Sequence, residues 1–224
     1  MISIILPVQN QAGHIASVVE EYEAALVRVP EPHEILLVEN ASRDESEAVC
    51  RALAGRIPGV RSFHRDAPGW GGAVREGLAE ARGELLCYTN SARTTAGDLV
   101  LALLYALAYP GVIVKANRKI RESWRRRLGS LLYNLECRAL FDLPIWDING
   151  TPKVFPRTFD LLLRLSRDDD LIDAEFGVVA RRAGYPVVEV PIISTRRHGG
   201  RSTTNLRSAI RLYWGAWRLK RRLG

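Results

Sequence analysis

Leu85-Leu86-Cys87-Tyr88-Thr89-Asn90-Ser91-Ala92-Arg93 decides the fold. It begins apolar and turns polar at Thr89. A strand covered on both faces reads as an unbroken apolar run. In open α/β sheets, ligands bind just past the carboxyl ends of such strands. A helical run ending at Arg82-Gly83 precedes the stretch. Further upstream, apolar runs at 3–6, 34–38 and 60–64 read as strands, and 12–29, 45–54 and 73–81 read as helices. Ile15, Val18, Val19, Tyr22 and Leu26 share one helical face. Such alternation predicts an α/β fold: a Rossmann-like parallel sheet with right-handed crossovers, flanked by helices.

Downstream, 96–108 reads as a helix and 112–116 as a strand. A basic segment at 117–127 feeds a helix that runs to 140, with Trp124, Leu128, Leu131 and Leu135 as its expected apolar face. A helix at 171–184, a strand at 187–190 and a basic amphipathic helix at 205–222 complete the chain. We expect one domain over 1–204 and the basic helix over 205–224.

The chain has 224 residues, 47% hydrophobic and 25% charged, which suits an ordinary globular domain. Cys50, Cys87 and Cys137 are odd in number and widely spaced, which argues against a disulfide framework or a zinc site and for a reducing cytoplasm. The N-terminus lacks the pattern of a signal peptide. The longest apolar run, 99–114, is broken by Pro110-Gly111 and is too short to span a bilayer. The net charge is +7, yet nine bases and no acid follow Val190, so the preceding residues carry a net −2. The basicity is therefore local and points to a local anionic partner.

Glu39-Asn40, in the polar loop after the second strand, suit a nucleoside, or else satisfy their own turn with Asn40 in a left-handed conformation. Pro7 and Gln9 stand beside that loop as walls for a base. Gly69-Trp70-Gly71-Gly72 opens a helix and would let backbone approach a phosphate. It matches neither the dinucleotide fingerprint nor the P-loop.

The order Pro7-Val8-Gln9-Asn10, Leu37-Val38-Glu39-Asn40-Ala41-Ser42-Arg43-Asp44, Gly69-Trp70-Gly71-Gly72-Ala73 and Ala81-Arg82-Gly83-Glu84-Leu85-Leu86 resembles family 2 glycosyltransferases of the GT-A fold. Asn117-Arg118, Asp147-Ile148-Asn149-Gly150, Asp173-Ala174-Glu175, residues 183–191 and Arg197 through Ser202 resemble the branch that glycosylates polyprenyl phosphates. The resemblance implies an inverting transfer of sugar from a nucleotide-diphosphate sugar to a lipid phosphate. It also implies nucleotide contacts at Pro7, Gln9, Asn10, Glu39, Asn40, Gly69, Gly71, Asn90 and Ser91. On the acceptor side it implies Asp147, Arg118, Arg127, Glu175, Arg201 and Ser202.

The chain departs from that pattern where the family holds its metal. The Asp-x-Asp positions are Asn90 and Ala92, the usual Asp-Asp is Glu39-Asn40, and the usual Asn-Glu is Asn10-Gln11. Mg²⁺ and Mn²⁺ take hard anionic oxygens, so this site should bind them poorly, and a metal is disfavoured here. Two readings follow. In one, cations such as Arg93, Arg118, Lys119 or Arg201 neutralise the donor diphosphate. In the other, the fold has lost transfer and binds a nucleotide, a phosphate or a protein. Asp147 would orient the acceptor, or else cap a turn with Asn149-Gly150.

The last helix sets Leu206, Ile210, Tyr213, Trp214 and Trp217 in a stripe beside Arg207, Arg211, Arg218 and Arg222. Apolar and aromatic residues flanked by bases describe a helix lying on a membrane surface. The same pattern suits packing on the domain itself or on a second copy in a homo-oligomer. No motif for reading nucleic acid accompanies the bases, so no nucleic-acid partner is expected. The expected location is cytoplasmic and peripheral to the membrane.

Overall fold

The computed structural model describes the backbone of residues 1–120, 124–193 and 206–223, and the side chains of 1–118, 129–193 and 213–221. The elements are β1 (Ile2–Val8), α1 (Ile15–Leu26), β2 (His33–Asn40), α2 (Ser46–Arg56), β3 (Val60–Arg65), α3 (Trp70–Glu80), β4 (Leu85–Tyr88) and α4 (Ala96–Ala108). They continue as β5 (Ile113–Ile120), α5 (Trp124–Phe141), β6 (Lys153–Pro156), a 3₁₀ turn (Asp160–Arg164), α6 (Ile172–Arg182), β7 (Val187–Ile193) and α7 (Leu206–Leu223).

The strands form one sheet in the order β3-β2-β1-β4-β6-β5-β7. β1, β2, β3 and β4 are parallel, and β7 is parallel to β5. β6 runs antiparallel between β4 and β5, so the sheet is mostly rather than wholly parallel. The regular alternation of strands and helices gives no sign of β6.

Alternate strand residues fill two cores. Ile2, Ile4, Leu6 and Val8 pack with α1 and α4 on one face. Ile5, Leu36, Val38 and Tyr88 pack with α3 and α6 on the other. The expected face of α1 is buried as read. Thr95 caps α4 by accepting from the Asp98 amide at 3.1 Å. A third cluster joins Tyr133 and Cys137 of α5, Ala174 and Val178 of α6, and Ala216 and Leu219 of α7. A Cβ on Gly215 would lie 2.4 Å from Leu171, so α7 seats closely against the body of the domain.

One sequence expectation fails in α5. Leu131 and Leu135 do not form a buried face; both are exposed, and Tyr133 and Cys137 turn inward instead. The side chains of Trp124 and Leu128 lie outside the described residues.

The strand order reverses at β1, with β2 and β3 to one side and β4 to the other. That reversal opens a crevice at the carboxyl ends of β1 and β4. No helix among the described residues is long and apolar enough to cross a membrane.

Candidate active site

The carboxyl ends of β1, β2, β4, β5 and β7 lie on one edge of the sheet. The loops after β1 and β2 are laced together there. Asn40 Nδ2 donates to the Val8 carbonyl at 2.8 Å, and Gln9 Nε2 donates to the Asn40 carbonyl at 3.0 Å. Asn10 Oδ1 accepts from the Arg43 amide at 2.8 Å. Pro7 is buried, Gln9 half-buried and Asn10 exposed. The left-handed residue of the second loop is Ala41 (φ 52°), not Asn40.

Glu39 does not offer itself to a ribose or a base, because it is 1% exposed. Its Oε1 accepts from the Ser42 amide and its Oε2 meets His64 Nδ1, each at 2.6 Å. The group that reaches the surface is His64, whose side chain is 43% exposed. The bonds to Glu39 and then Asp66 raise the His64 pKa above its ordinary value. A raised folded-state value means that the protonated ring stabilises the fold fully below the unfolded value. That contribution is lost as pH rises through the folded value. Thermal melts across this window are expected to show the loss in the native chain and not in His64→Gln.

The loop after β4 is a tight turn. Asn90 Oδ1 accepts from the Ala92 amide at 3.0 Å, and the Asn90 carbonyl accepts from Arg93 and Thr94 amides. Ser91 Oγ donates to Gln11 Oε1 at 2.6 Å. Tyr22 reaches up from α1 to the Thr94 carbonyl at 2.8 Å. Ala92 is buried and Arg93 half-buried. A divalent cation needs several hard oxygens, whereas the side chains of this turn supply one amide oxygen and one hydroxyl, both already hydrogen-bonded, and no carboxylate. The residues at 90–92 therefore do not fit Mg²⁺ or Mn²⁺. Among the described residues, Glu39, Glu47 and His64 do group as metal ligands would, but beneath the β2 loop.

Beyond β4 the edge carries an ionic network. Arg118 clamps Asp147 through Nε and Nη2, each at 2.7 Å, and its amide donates to the same carboxylate at 3.0 Å. Burial opposes the Arg118 charge, and Asp147 more than offsets it, so its pKa is raised. Glu189 of β7 fixes the segment that carries Asp147. It accepts from the Trp146 amide at 2.9 Å, the Asp147 amide at 3.1 Å, Asn117 Nδ2 at 3.2 Å and Lys115 Nζ at 3.0 Å. Fully buried Lys115 also donates to the Asp147 carbonyl. Beside it across the β5–β6 pair is Lys153, again fully buried, which pairs with Asp173. Asp173 also accepts from Tyr88 OH at 2.9 Å. The turn reading of Asp147 is met by its backbone alone, since its carbonyl accepts from the Gly150 amide. Its carboxylate belongs to Arg118.

The glycine-rich turn has a different partner from the expected phosphate. A Cβ on Gly69 would lie 2.4 Å from the Asp168 carbonyl, and one on Gly71 2.4 Å from the Arg167 carbonyl. The Gly72 amide donates to the Asp168 carbonyl at 3.0 Å. The helix end thus receives a protein carbonyl. Glu175 serves the same loop: it accepts from the Ser166 amide and hydroxyl and the Arg167 amide at 2.7–3.1 Å, which turns it away from an acceptor role. The side chains of Lys119 and Arg125 to Arg127, and residues Arg201 and Ser202, lie outside the described residues.

Lys115 and Lys153 escaped the sequence reading, which met Gln11 and Glu189 only as members of motifs. A signal existed for both lysines: Val112-Ile113-Val114-Lys115-Ala116 and Lys153-Val154-Phe155 each set a lysine in a strand-like apolar run. A buried lysine needs a carboxylate or carbonyls to hold its charge.

Comparison with known proteins adds the family. The family described as Glycosyl transferase family 2 matches residues 3–160. An uncharacterized glycosyltransferase of Mycobacterium tuberculosis is 26% identical, with 97% of each chain covered. The undecaprenyl-phosphate 4-deoxy-4-formamido-L-arabinose transferase of Sodalis glossinidius is 23% identical over 95% of this chain and 65% of its own length. In three dimensions the chain resembles glucosyl-3-phosphoglycerate synthase of Mycobacterium tuberculosis, crystallised with Mn²⁺, uridine diphosphate and phosphoglyceric acid. The TM-score is 0.75 at 19% identity, covering 98% of this chain and 78% of that one.

Proposed function

Since the chain belongs to glycosyl transferase family 2 and has the GT-A fold expected of it, we propose that it moves a sugar from a nucleotide-diphosphate sugar to a polyprenyl phosphate without a metal at the β4 loop. The observation that carries this reading is the Arg118–Asp147 clamp, a permanent cation held on the same sheet edge as a turn that lacks metal ligands, with β6 between them. The likeness to an undecaprenyl-phosphate transferase supports the acceptor class.

In this reading an acceptor phosphate oxygen attacks the anomeric carbon. The bond from that carbon to the diphosphate oxygen breaks, the centre inverts, and nucleoside diphosphate leaves. The acceptor is ionised at neutral pH, so Asp147 need not act as a base; it aims Arg118. Arg118 uses two of its five N–H donors on Asp147. The others serve to draw phosphate oxygens together and offset charge growing on the leaving group. Arg93, together with Arg127, whose side chain lies outside the described residues, and Arg201 and Ser202, which lie outside them altogether, would complete that role. Gln9, Asn10 and Asn90 frame the nucleotide, while the buried Pro7, Glu39, Asn40 and Ser91, with Gly69 and Gly71, shape the frame from behind.

Turnover of a nucleotide-sugar panel with an undecaprenyl-phosphate acceptor, with and without EDTA, tests this. Transfer that persists in EDTA is expected. A strict Mn²⁺ requirement would refute the metal-free reading. Absence of transfer and of any nucleotide-induced thermal shift would refute the donor class.

The exposed Trp214 and Trp217 of α7, with Arg218, Lys220 and Arg221 beside them, would rest on an anionic membrane surface. Trp214→Ser with Trp217→Ser is expected to reduce co-sedimentation with anionic vesicles several-fold; equal sedimentation defeats that placement.

A further inference from the structure

Helix α5 turns an apolar flank to solvent: Leu131, Leu132 and Leu135 are 47, 50 and 47% exposed. Where that flank lies follows from two contacts. Asn134 Oδ1 accepts from the Ile148 amide at 3.1 Å. One turn on, the Arg138 guanidinium lies 3.7 Å from the centre of the Trp146 ring. The segment that carries Asp147 therefore runs along the middle turns of α5. At 100° per residue, Leu131 and Leu135 come directly after Arg138 around the helix, on the side away from the core. Trp146 is itself 54% exposed. Leu132 follows further round, toward Glu136, which bonds Trp217 of α7.

The result is an uneven surface. Arg118 and Arg138 stand toward one end, beside Trp146, and Arg127 precedes Leu131 by one turn at the other. Leucines lie beyond, with Glu136 the one acid in α5. Clustered bare apolar side chains of this kind mark a binding surface. A cation at one end of an apolar strip fits an anionic head with an apolar chain behind it. From 131 to 138 the helix rises about 10 Å, enough for a few isoprene units.

We propose that Trp146, Leu135 and Leu131 form the track for the first isoprenoid units of the acceptor, with its phosphate at Arg118. This rests on the polyprenyl-phosphate reading above and names where the chain lies.

The probes are monomeric farnesyl phosphate and inorganic phosphate, measured by calorimetry on the full chain, with sugar transfer to farnesyl phosphate followed in parallel. The native chain is expected to bind farnesyl phosphate at least about tenfold more tightly than inorganic phosphate, from the apolar area covered. Leu131→Ser with Leu135→Ser, both at the surface, is expected to weaken farnesyl phosphate about tenfold. It should raise KM with kcat unchanged, and leave inorganic phosphate binding and the melting temperature as they were. Trp146→Ala is expected to act in the same direction.

If the native chain glycosylates farnesyl phosphate and the leucine variant does so with unchanged KM, the track is wrong and the acceptor class stands. If the variant loses only binding to anionic vesicles, the flank is a general membrane contact and the track is wrong. If the native chain transfers sugar elsewhere and ignores farnesyl phosphate, the acceptor reading itself falls, and the track with it.

Discussion

Arg118→Ala is expected to lower kcat/KM by about 10²–10³, the usual cost of removing a preorganised donor from a site of developing charge. Three features set the size of this effect. Arg118 is oriented by two side-chain bonds of 2.7 Å to one carboxylate. That carboxylate is held in turn by Glu189 and Lys115 through its backbone. The β4 loop offers no carboxylate to recruit a metal in its place. The alanine variant leaves Asp147 buried without its cation, so part of any loss could reflect folding. Arg118→Lys separates the two effects. It keeps the charge and surrenders the fork, so it should melt near the native temperature and still lose at least about tenfold, a discrimination typical of bidentate geometry. Activity of both variants within threefold of native would remove Arg118 from the reaction.

Lys153→Met is expected to destabilise the fold by about 3–5 kcal/mol, the cost of stripping one partner from a buried ion pair. The methionine fits the space, but Asp173 is left buried without its cation, with Tyr88 OH as its remaining partner there. Replacing the whole group, with Lys153→Met, Asp173→Leu and Tyr88→Phe together, should recover most of the loss, because no buried polar group is left stranded. Burial pulls the Lys153 pKa down to about 8, against the pull of Asp173. The unfolded chain holds that proton up to about pH 10.4. Between those values the unfolded state binds more protons, so this group makes stability rise with pH. Urea melts from pH 7.5 to 9.5 should show that slope in the native chain and lose it in the triple variant. A single variant as stable as native would mean that the buried pair contributes nothing.

The parallel half of the fold was legible because its signals are local. Ile15, Val18, Val19, Tyr22 and Leu26 repeat at the helical period, and each is buried. Ile4, Leu36 and Leu86 sit in runs with no polar alternation, and each is at the centre of the sheet. The second half was less legible because long-range partners decide it. β6 has four residues and is a strand only because β4 and β5 flank it. Leu131 and Leu135 carry helical periodicity, yet Tyr133 and Cys137 take the core because α6 and α7 lie on their side. At the edge, sequence picked out Arg118 and Asp147 but not their clamp. It placed Glu175 with the acceptor, although the Ser166–Arg167 loop claims it. It read Gly69 and Gly71 as room for a phosphate, where the Arg167 and Asp168 carbonyls already stand.

The antiparallel strand has a consequence for the order of assembly. β5 is made before β6, yet its sheet neighbours are β6 and β7, both later in the chain. A ribosome delivering the N-terminus first can close β3-β2-β1-β4 once residue 88 has emerged. β5 must then wait, unpaired, until residues 153–156 are made. Lys115, Arg118 and Lys119 all stand in that waiting strand, and charges on an unpaired edge discourage pairing with another chain.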